Sequence, residues 1–208
     1  MKITIDNKQL DVDSNKTILT ICKENDIKIP TLCFHKNLFP EARCRVCLVD
    51  MNNKLVTACS TKPVENASII THSEKVVKAR KMNLELMSPN IKANELADDF
   101  EAREVYDQIG MEYERFKSIK DYHPDLGAAI VRDNNKCVNC GKCVQVCGKI
   151  QEIHAIDFAS RAHNEHVTPY DEKKLEQVAC IECGQCLINC PVGAISERTH
   201  LPEVIKAL

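Results

Sequence analysis

Hydrophobic positions change their period along the chain, and the changes mark its elements. Near the start, Ile3 and Ile5 alternate with polar neighbours, and Leu10 and Val12 alternate again beyond Asn7-Lys8. Alternation at period two around a turn-forming pair predicts a β-hairpin. The period then lengthens. Ile18, Leu19, Ile21 and Cys22 make one apolar face within Lys16–Asp26, a helix that Ser14 or Asn15 is placed to cap. Cys22 on that face reads as a small buried hydrophobe. Val46–Met51 and Lys54–Thr57 flank Asn52-Asn53, a second hairpin signal, and Ala67–Thr71 reads as a last strand. Residues 1–72 are thus a small mixed α/β unit with a long cysteine-bearing loop.

From Ser73 the sequence SEKVVKARKMNLELM predicts a helix, with Val76, Val77, Ala79, Met82, Leu84 and Leu86 mostly on one side and Pro89 ending it. A second helix is predicted from Asn94 to about Met111. Its acidic residues Glu95, Asp98, Asp99, Glu101, Glu104 and Asp107, against Arg103, read as a solvated face; a docking face for a basic partner is the lesser alternative. These helices make residues 73–128 a linker between the first unit and a last one at 129–208. At the C-terminus Leu201, Val204, Ile205 and Leu208 recur at helical spacing, with Pro202 in the first turn. Packing of that helix on its own domain is the default expectation.

Composition changes this picture at one residue type. Hydrophobic content of 44% and charged content of 28% are ordinary for a globular chain, but there are 13 cysteines in 208 residues. All but Cys22 fall into tight spacings. The opening MKITIDNKQL has no apolar signal region, and no run approaches membrane-spanning length. A thiol-rich chain of this size without an export signal points to metal binding in the reducing cytoplasm rather than to a disulfide framework. The formal charge is −2 with neutral thiols, and three oxidised iron–sulfur centres would take it to about −8. No basic patch argues for nucleic acid as a partner.

In the last unit, Cys137-x-x-Cys140-x-x-Cys143-x-x-x-Cys147 recurs as Cys180-x-x-Cys183-x-x-Cys186-x-x-x-Cys190-Pro191, with 33 residues from Cys147 to Cys180. Three thiolates at every third position wrap one cubane, and the fourth points away to the other cluster. The expected ligand sets are therefore Cys137, Cys140, Cys143 and Cys190 for one [4Fe–4S] cluster. Cys147, Cys180, Cys183 and Cys186 are expected to hold the other. Zinc would need only two separated Cys-x-x-Cys pairs per site, a poorer match. Gly148 stands where the first motif lacks the proline that Pro191 supplies to the second. The spacer has room for a helix and a hairpin.

The first unit spaces Cys33, Cys44, Cys47 and Cys59 with one Cys-x-x-Cys, a wider-loop version of the [2Fe–2S] pattern. On spacing alone zinc stays open here, and the neighbouring pair of cubane motifs favours iron.

With these motifs in view, "IPTLCFHKNLFPEARCRVCLVD" and "LVTACST" resemble the N-terminal [2Fe–2S] domain of [FeFe] hydrogenases. They are also similar to the large iron–sulfur subunit of NADH:quinone oxidoreductase and to NAD-linked formate dehydrogenases. "AIVRDNNKCVNCGKCVQVCGKIQ" and "CIECGQCLINCPVGAISER" resemble the two-cubane domain that follows in those proteins. The resemblance covers nearly the whole chain. It implies an α+β protein: a β-grasp [2Fe–2S] domain at 1–72, a helical linker at 73–128, and a bacterial-ferredoxin-like domain at 129–208 whose last helix docks on a separate subunit. Those families usually hold an additional cubane with one His and three Cys between the domains. From Met82 to Gly110 this chain has neither residue type, so the linker is a cluster-free remnant. His35, two residues past Cys33, has a counterpart in the relatives and is expected to hydrogen-bond near the cluster; His154, His163 and His166 read as surface or structural residues.

Six glycines, none in a G-x-G-x-x-G or P-loop, leave no flavin or nucleotide cradle, and no nucleophile–base pair stands out. The sequence therefore predicts an electron-transfer subunit with one [2Fe–2S] and two [4Fe–4S] clusters and no catalytic site of its own, at potentials on the order of −400 mV. The implied partners are a flavin/NAD(P)-binding subunit and a catalytic subunit acting on hydrogen, formate or an aldehyde, with soluble ferredoxin as a further candidate. The alternative is the electron-relay fragment of an [FeFe] hydrogenase lacking its catalytic domain; a redox sensor or cluster store ranks last.

Overall fold

The structure, a computed structural model, describes residues 1–91, 100–111 and 115–208. Contacts divide the chain into two compact units, one built mainly on Met1–Pro89 and the other on Ser118–Leu208.

The first unit is a five-stranded sheet with a helix laid on it. Its strands are β1 (Lys2–Ile5), β2 (Lys8–Asp11), β3 (Leu48–Met51), β4 (Lys54–Thr57) and β5 (Ser68–Ile70). They lie in the order β2-β1-β5-β3-β4, with β1 and β5 parallel at the centre and every other pair antiparallel. Both predicted hairpins form. The second turns at Asn52-Asn53, each with positive φ, as predicted. The first turns at Asp6-Asn7, one residue earlier than expected, because Lys8 already pairs with Ile5. Asp6 gains from that placement: its carboxylate accepts the Thr71 N–H at 2.8 Å and the Thr71 hydroxyl at 2.5 Å, fastening the end of β5. Helix α1 (Ile18–Glu24) is shorter than the predicted stretch Lys16–Asp26 and is capped by Thr17, whose Oγ1 accepts the Thr20 N–H, rather than by Ser14 or Asn15. Ile18, Leu19, Ile21 and Cys22 are fully buried against Ile3, Ile5, Val49 and Ile69. Burial of each large side chain contributes about 1.5–3 kcal/mol. Cys22 is part of this core, and desolvation lifts its thiol to about 11, so it stays protonated and inert.

Helix α2 (Glu74–Ile91) runs one turn beyond its predicted end and carries Pro89 inside it. Proline has no N–H for the Glu85 carbonyl; the Ser88 hydroxyl donates to that oxygen instead, at 2.8 Å, and the helix continues. The buried face also differs from expectation. Val76, Arg80, Leu84 and Ser88, spaced by four, are buried, whereas Met82 and Leu86 are exposed. Helix α3 (Glu101–Ile109) buries Ala102, Val105, Tyr106 and Ile109 and ends at Gly110 in the left-handed conformation. The predicted residues Glu95, Asp98 and Asp99 lie outside the described residues; Glu101, Glu104 and Asp107 are on α3.

The second unit is built from two copies of one small motif. Strands β6 (Asp125–Leu126), β7 (Ile130–Arg132) and β10 (Ile195–Glu197) form an antiparallel sheet in the order β10-β7-β6, which joins the start of the first copy to the end of the second. Between the copies, β8 (Asp157–Ala159) and β9 (His166–Thr168) make a hairpin. The helix expected in this spacer is replaced, among the described residues, by short 3-10 turns. Each copy contributes one helical turn, α4 (Lys142–Gln145) and α5 (Gln185–Ile188). Helix α6 (Leu201–Ala207) follows, and Leu201, Val204, Ile205 and Leu208 are all exposed, so the default expectation of packing on its own domain is not met. No helix among the described residues is long and apolar enough to cross a membrane.

Candidate metal centres

In the first unit the loop between α1 and β3 brings in Cys33, Cys44 and Cys47, and the turn after β4 brings in Cys59. All four are buried, from 1% to 7% exposed. The positive φ of Ala42 and Arg45 bends the loop on either side of Cys44. As thiols they couple in pairs. A hydrogen bond from Cys33 holds the Cys44 thiol down to about 6, with backbone N–H groups around the loop, Val46 foremost, adding to the effect against desolvation. The same bond, with burial, pushes Cys33 up. Cys59 is lowered and Cys47 raised by an equivalent bond between them. Four buried sulfurs with shared protons and converging N–H donors can accept a cationic core once those protons leave.

The two cubane motifs follow a shared local geometry. Asn139 and Glu182 have positive φ, as do Gly141 and Gly184, so each Cys-x-x-Cys-x-x-Cys run turns its N–H groups inward. The Asn139 N–H donates to Cys137 Sγ at 3.4 Å, and the Glu182 N–H plays the same part toward Cys180. The fourth cysteines match as well, with Ala155 N–H on Cys147 Sγ at 3.3 Å and Ala194 N–H on Cys190 Sγ at 3.2 Å. Such N–H···S bonds stabilise thiolate charge. In the second copy α5 ends before Cys190 and Pro191. In the first, a π-helical turn (Val146–Ile150) carries the chain past Cys147. Gly148 leaves room there for the His154 ring: a Cβ would stand 2.9 Å from His154 Nδ1, so a larger residue would displace that exposed side chain.

Two hollows in this unit sort the eight cysteines. Cys137, Cys140, Cys143 and Cys190 line one, together with Arg132 and Asn134. Cys147, Cys180, Cys183 and Cys186 line the other. In each, three cysteines come from one motif and one from the other. Among the described residues no three His, Cys, Asp or Glu side chains close on a single-ion site. Four thiols spread around an apolar hollow fit a core of several atoms better than one zinc ion. Desolvation raises Cys140 to about 12 and lifts Cys143 well above the usual thiol range. The second site is more open: Cys186 rises to about 11 for the same reason, and Cys183 is exposed.

Three cations beside these centres were not legible as site residues. Arg80 is 3% exposed, donates from Nε to the Leu48 carbonyl at 2.8 Å, and its charge reaches Cys47. Arg132 and Lys120 flank the first cubane site. The signal that could have marked Arg80 is its place four residues from both Val76 and Leu84. His35 accepts the Asn37 N–H at Nδ1, 3.3 Å, within the Cys33 loop. His166 is buried and structural, its Nδ1 against the Asn164 carbonyl at 2.8 Å; His154 and His163 are exposed.

Comparison with known proteins agrees with this geometry. Residues 1–74 match a 2Fe-2S iron-sulfur cluster binding domain, and residues 136–194 match a 4Fe-4S dicluster domain. The NADP-reducing hydrogenase subunit HndD of Solidesulfovibrio fructosivorans is 34% identical, over all of this chain and 38% of its own length. An NADH-quinone oxidoreductase subunit of Rhizobium meliloti is 27% identical over 94% of this chain and 24% of its own length. The putative formate dehydrogenase SH0748 of Staphylococcus haemolyticus is 25% identical over 94% of this chain and 20% of its own. The chain thus spans well under half of each of these relatives. Among solved structures, a chain of an NAD+-reducing [NiFe]-hydrogenase in the H2-reduced state superposes with a TM-score of 0.83 at 20% identity. It is covered over 88% of its length by 96% of this chain.

Proposed function

From an iron–sulfur protein that joins an N-terminal 2Fe-2S domain to a C-terminal 4Fe-4S dicluster domain, we propose an electron-transfer subunit of a cytoplasmic oxidoreductase complex. The observation that carries the reading is the division of the eight distal cysteines between two hollows with one crossed ligand each. In this proposal Cys33, Cys44, Cys47 and Cys59 hold a [2Fe–2S] cluster. Cys137, Cys140, Cys143 and Cys190 hold one [4Fe–4S] cluster, and Cys147, Cys180, Cys183 and Cys186 the other. Such clusters, when bound, supply one-electron redox chemistry with little movement of their ligands. The chain's own part is to hold the thiolates, to donate N–H groups to them and to shield them from water, most fully in the first unit and least at Cys183.

The names of the relatives share dihydrogen, formate or nicotinamide chemistry, which supports a flavin/NAD(P)-binding subunit on one side and a catalytic redox subunit on the other. Soluble ferredoxin is a further candidate donor. The exposed apolar face of α6 and the open edge at Cys183 are the surfaces available for such contacts. The match to HndD along the entire chain favours, as a second reading, the relay portion of a hydrogenase.

The test is electron passage without catalysis. Reduced anaerobically and freed of excess dithionite, the chain should deliver about three electrons to a one-electron acceptor of higher potential such as oxidised cytochrome c, one per cluster. It should show no steady turnover of hydrogen, formate or NADH. Sustained turnover of any of these by the isolated chain would overturn the proposal.

A further inference from the structure

The two halves of the dicluster domain share backbone geometry but not charge. Three cations stand against the Cys137/Cys140/Cys143/Cys190 site. Arg132 lines its hollow and is 7% exposed; it donates from Nη1 to the Val167 carbonyl, and its Nε has no hydrogen-bond partner among the described residues. Its ion pair is with Asp125, 3.2 Å from Nη2, which does not line the hollow. Lys120 Nζ donates to the Cys137 carbonyl at 2.6 Å. Lys142, between Gly141 and Cys143, is 1% exposed, and its charge reaches Cys140.

The second hollow differs. Among the described residues that line it none is charged: Ile130, Ile153, Ile156, Leu175 and Ile181 surround the four cysteines with Gln151 and Gln185. The carboxylate felt at Cys180 is that of Glu182, which accepts the Ala129 N–H at 3.2 Å and whose field opposes thiolate charge there. Lys149, two residues from Cys147, is exposed and screened by water. The N–H···S bonds at Cys137 and Cys190 are matched by those at Cys180 and Cys147 and do not distinguish the sites.

We infer that the two cubane sites are unequal by construction: the Cys137/Cys140/Cys143/Cys190 site accepts an electron first, and Arg132 and Lys120 set that order. The inference rests on the relay reading above and adds the sequence of potentials within it. Reduction adds one negative charge to a centre, with no bond made or broken in the chain. A nearby buried cation stabilises the reduced form, and a carboxylate disfavours it. Solvent at Cys183 acts the other way, because water also stabilises added charge. It reaches the second site, where Cys183 is exposed and Cys147, Cys180 and Cys186 are half-buried, whereas the cations of the first act at short range beside the buried Cys140 and Cys143. At the effective dielectric of about 20 felt by protein charges, one unit charge several Å away changes a one-electron equilibrium by at least about tenfold. Electrons entering at the open second site would then run downhill to the first.

The experiment is a potentiometric titration of the full chain, anaerobically loaded, followed by low-temperature electron paramagnetic resonance. It compares the parent with Lys120→Gln, Arg132→Gln and Arg132→Lys, and iron is counted on each sample. The parent should show two resolved cubane steps. Each Gln variant should move the higher step down by about tenfold in its equilibrium constant, ~59 mV for one electron. The lower cubane step and the [2Fe–2S] step should stay in place, and Arg132→Lys should restore the parent pattern. Movement of the lower step, or of neither, overturns the inference while leaving the relay reading intact. An iron count near four, or stoichiometric zinc, defeats the relay reading itself. Should Arg132→Gln lose its clusters, Lys120→Gln, a half-buried residue outside the cysteine motifs, decides alone.

Discussion

Replacing Cys190 by serine is expected to empty the site formed by the first cysteine motif, not the second. Iron should fall from about ten to about six per chain. The reason is spatial. Cys190 lines the hollow of Cys137, Cys140 and Cys143, and its Sγ accepts the Ala194 N–H at 3.2 Å, which fixes its aim away from its own motif. The surviving cubane should keep the potential of the lower step, since the cations belong to the site that is lost. Cys147→Ser should do the reverse, because Cys147 lines the hollow of Cys180, Cys183 and Cys186. If each serine instead removed the cluster of its own motif, the crossed assignment would fail. Mössbauer or paramagnetic resonance spectra of the two variants distinguish the cases.

Cys47→Ser should have an equally large effect confined to the other unit. Cys47 is 1% exposed, follows the fully buried Val46, and belongs to the same buried cluster as Val49, Ala58 and Cys59. Losing the centre there should remove about two irons and leave about eight. It should also destabilise the sheet of the first unit, because binding of a metal centre to a site formed by folding contributes folding free energy. Loss of even ~2 kcal/mol would lower the melting temperature of a unit of this size by roughly 8–16 °C. The two cubane signals should be unchanged, since their ligands lie in a separately packed unit. Loss of all clusters together would show that the units do not fold independently.

Much of this was legible because thiolate chemistry is local and its spacing is strict. Two runs of three-plus-one cysteines imply crossed ligation, and alternation around Asn52-Asn53 implies a hairpin. What was not legible depends on tertiary partners. Arg80 breaks the apolar pattern of α2, so the pattern pointed to Met82 and Leu86, which are exposed. The charge of Arg80 is accommodated by the Leu48 carbonyl, 32 residues away in sequence. Pro89 reads as a stop until Ser88 is seen to satisfy the Glu85 carbonyl. Arg132 carried no signal in the sequence; it is buried and held by Asp125 and the Val167 carbonyl, both distant in the chain from the cysteines it flanks. Lys120 lies in an irregular stretch that carries no pattern, and only the folded chain brings it to Cys137. Ligand identity could be read from the sequence, whereas the charges around the ligands come from residues distant in the chain.

The central claim is that twelve cysteines hold three separate one-electron centres. Quantitative spin counting on the anaerobically loaded, fully reduced chain tests it most directly. The account predicts about three unpaired spins per chain, one relaxing slowly as a [2Fe–2S] centre does and two relaxing fast and coupled to each other. Two spins or fewer in a sample that carries its full complement of iron would contradict it.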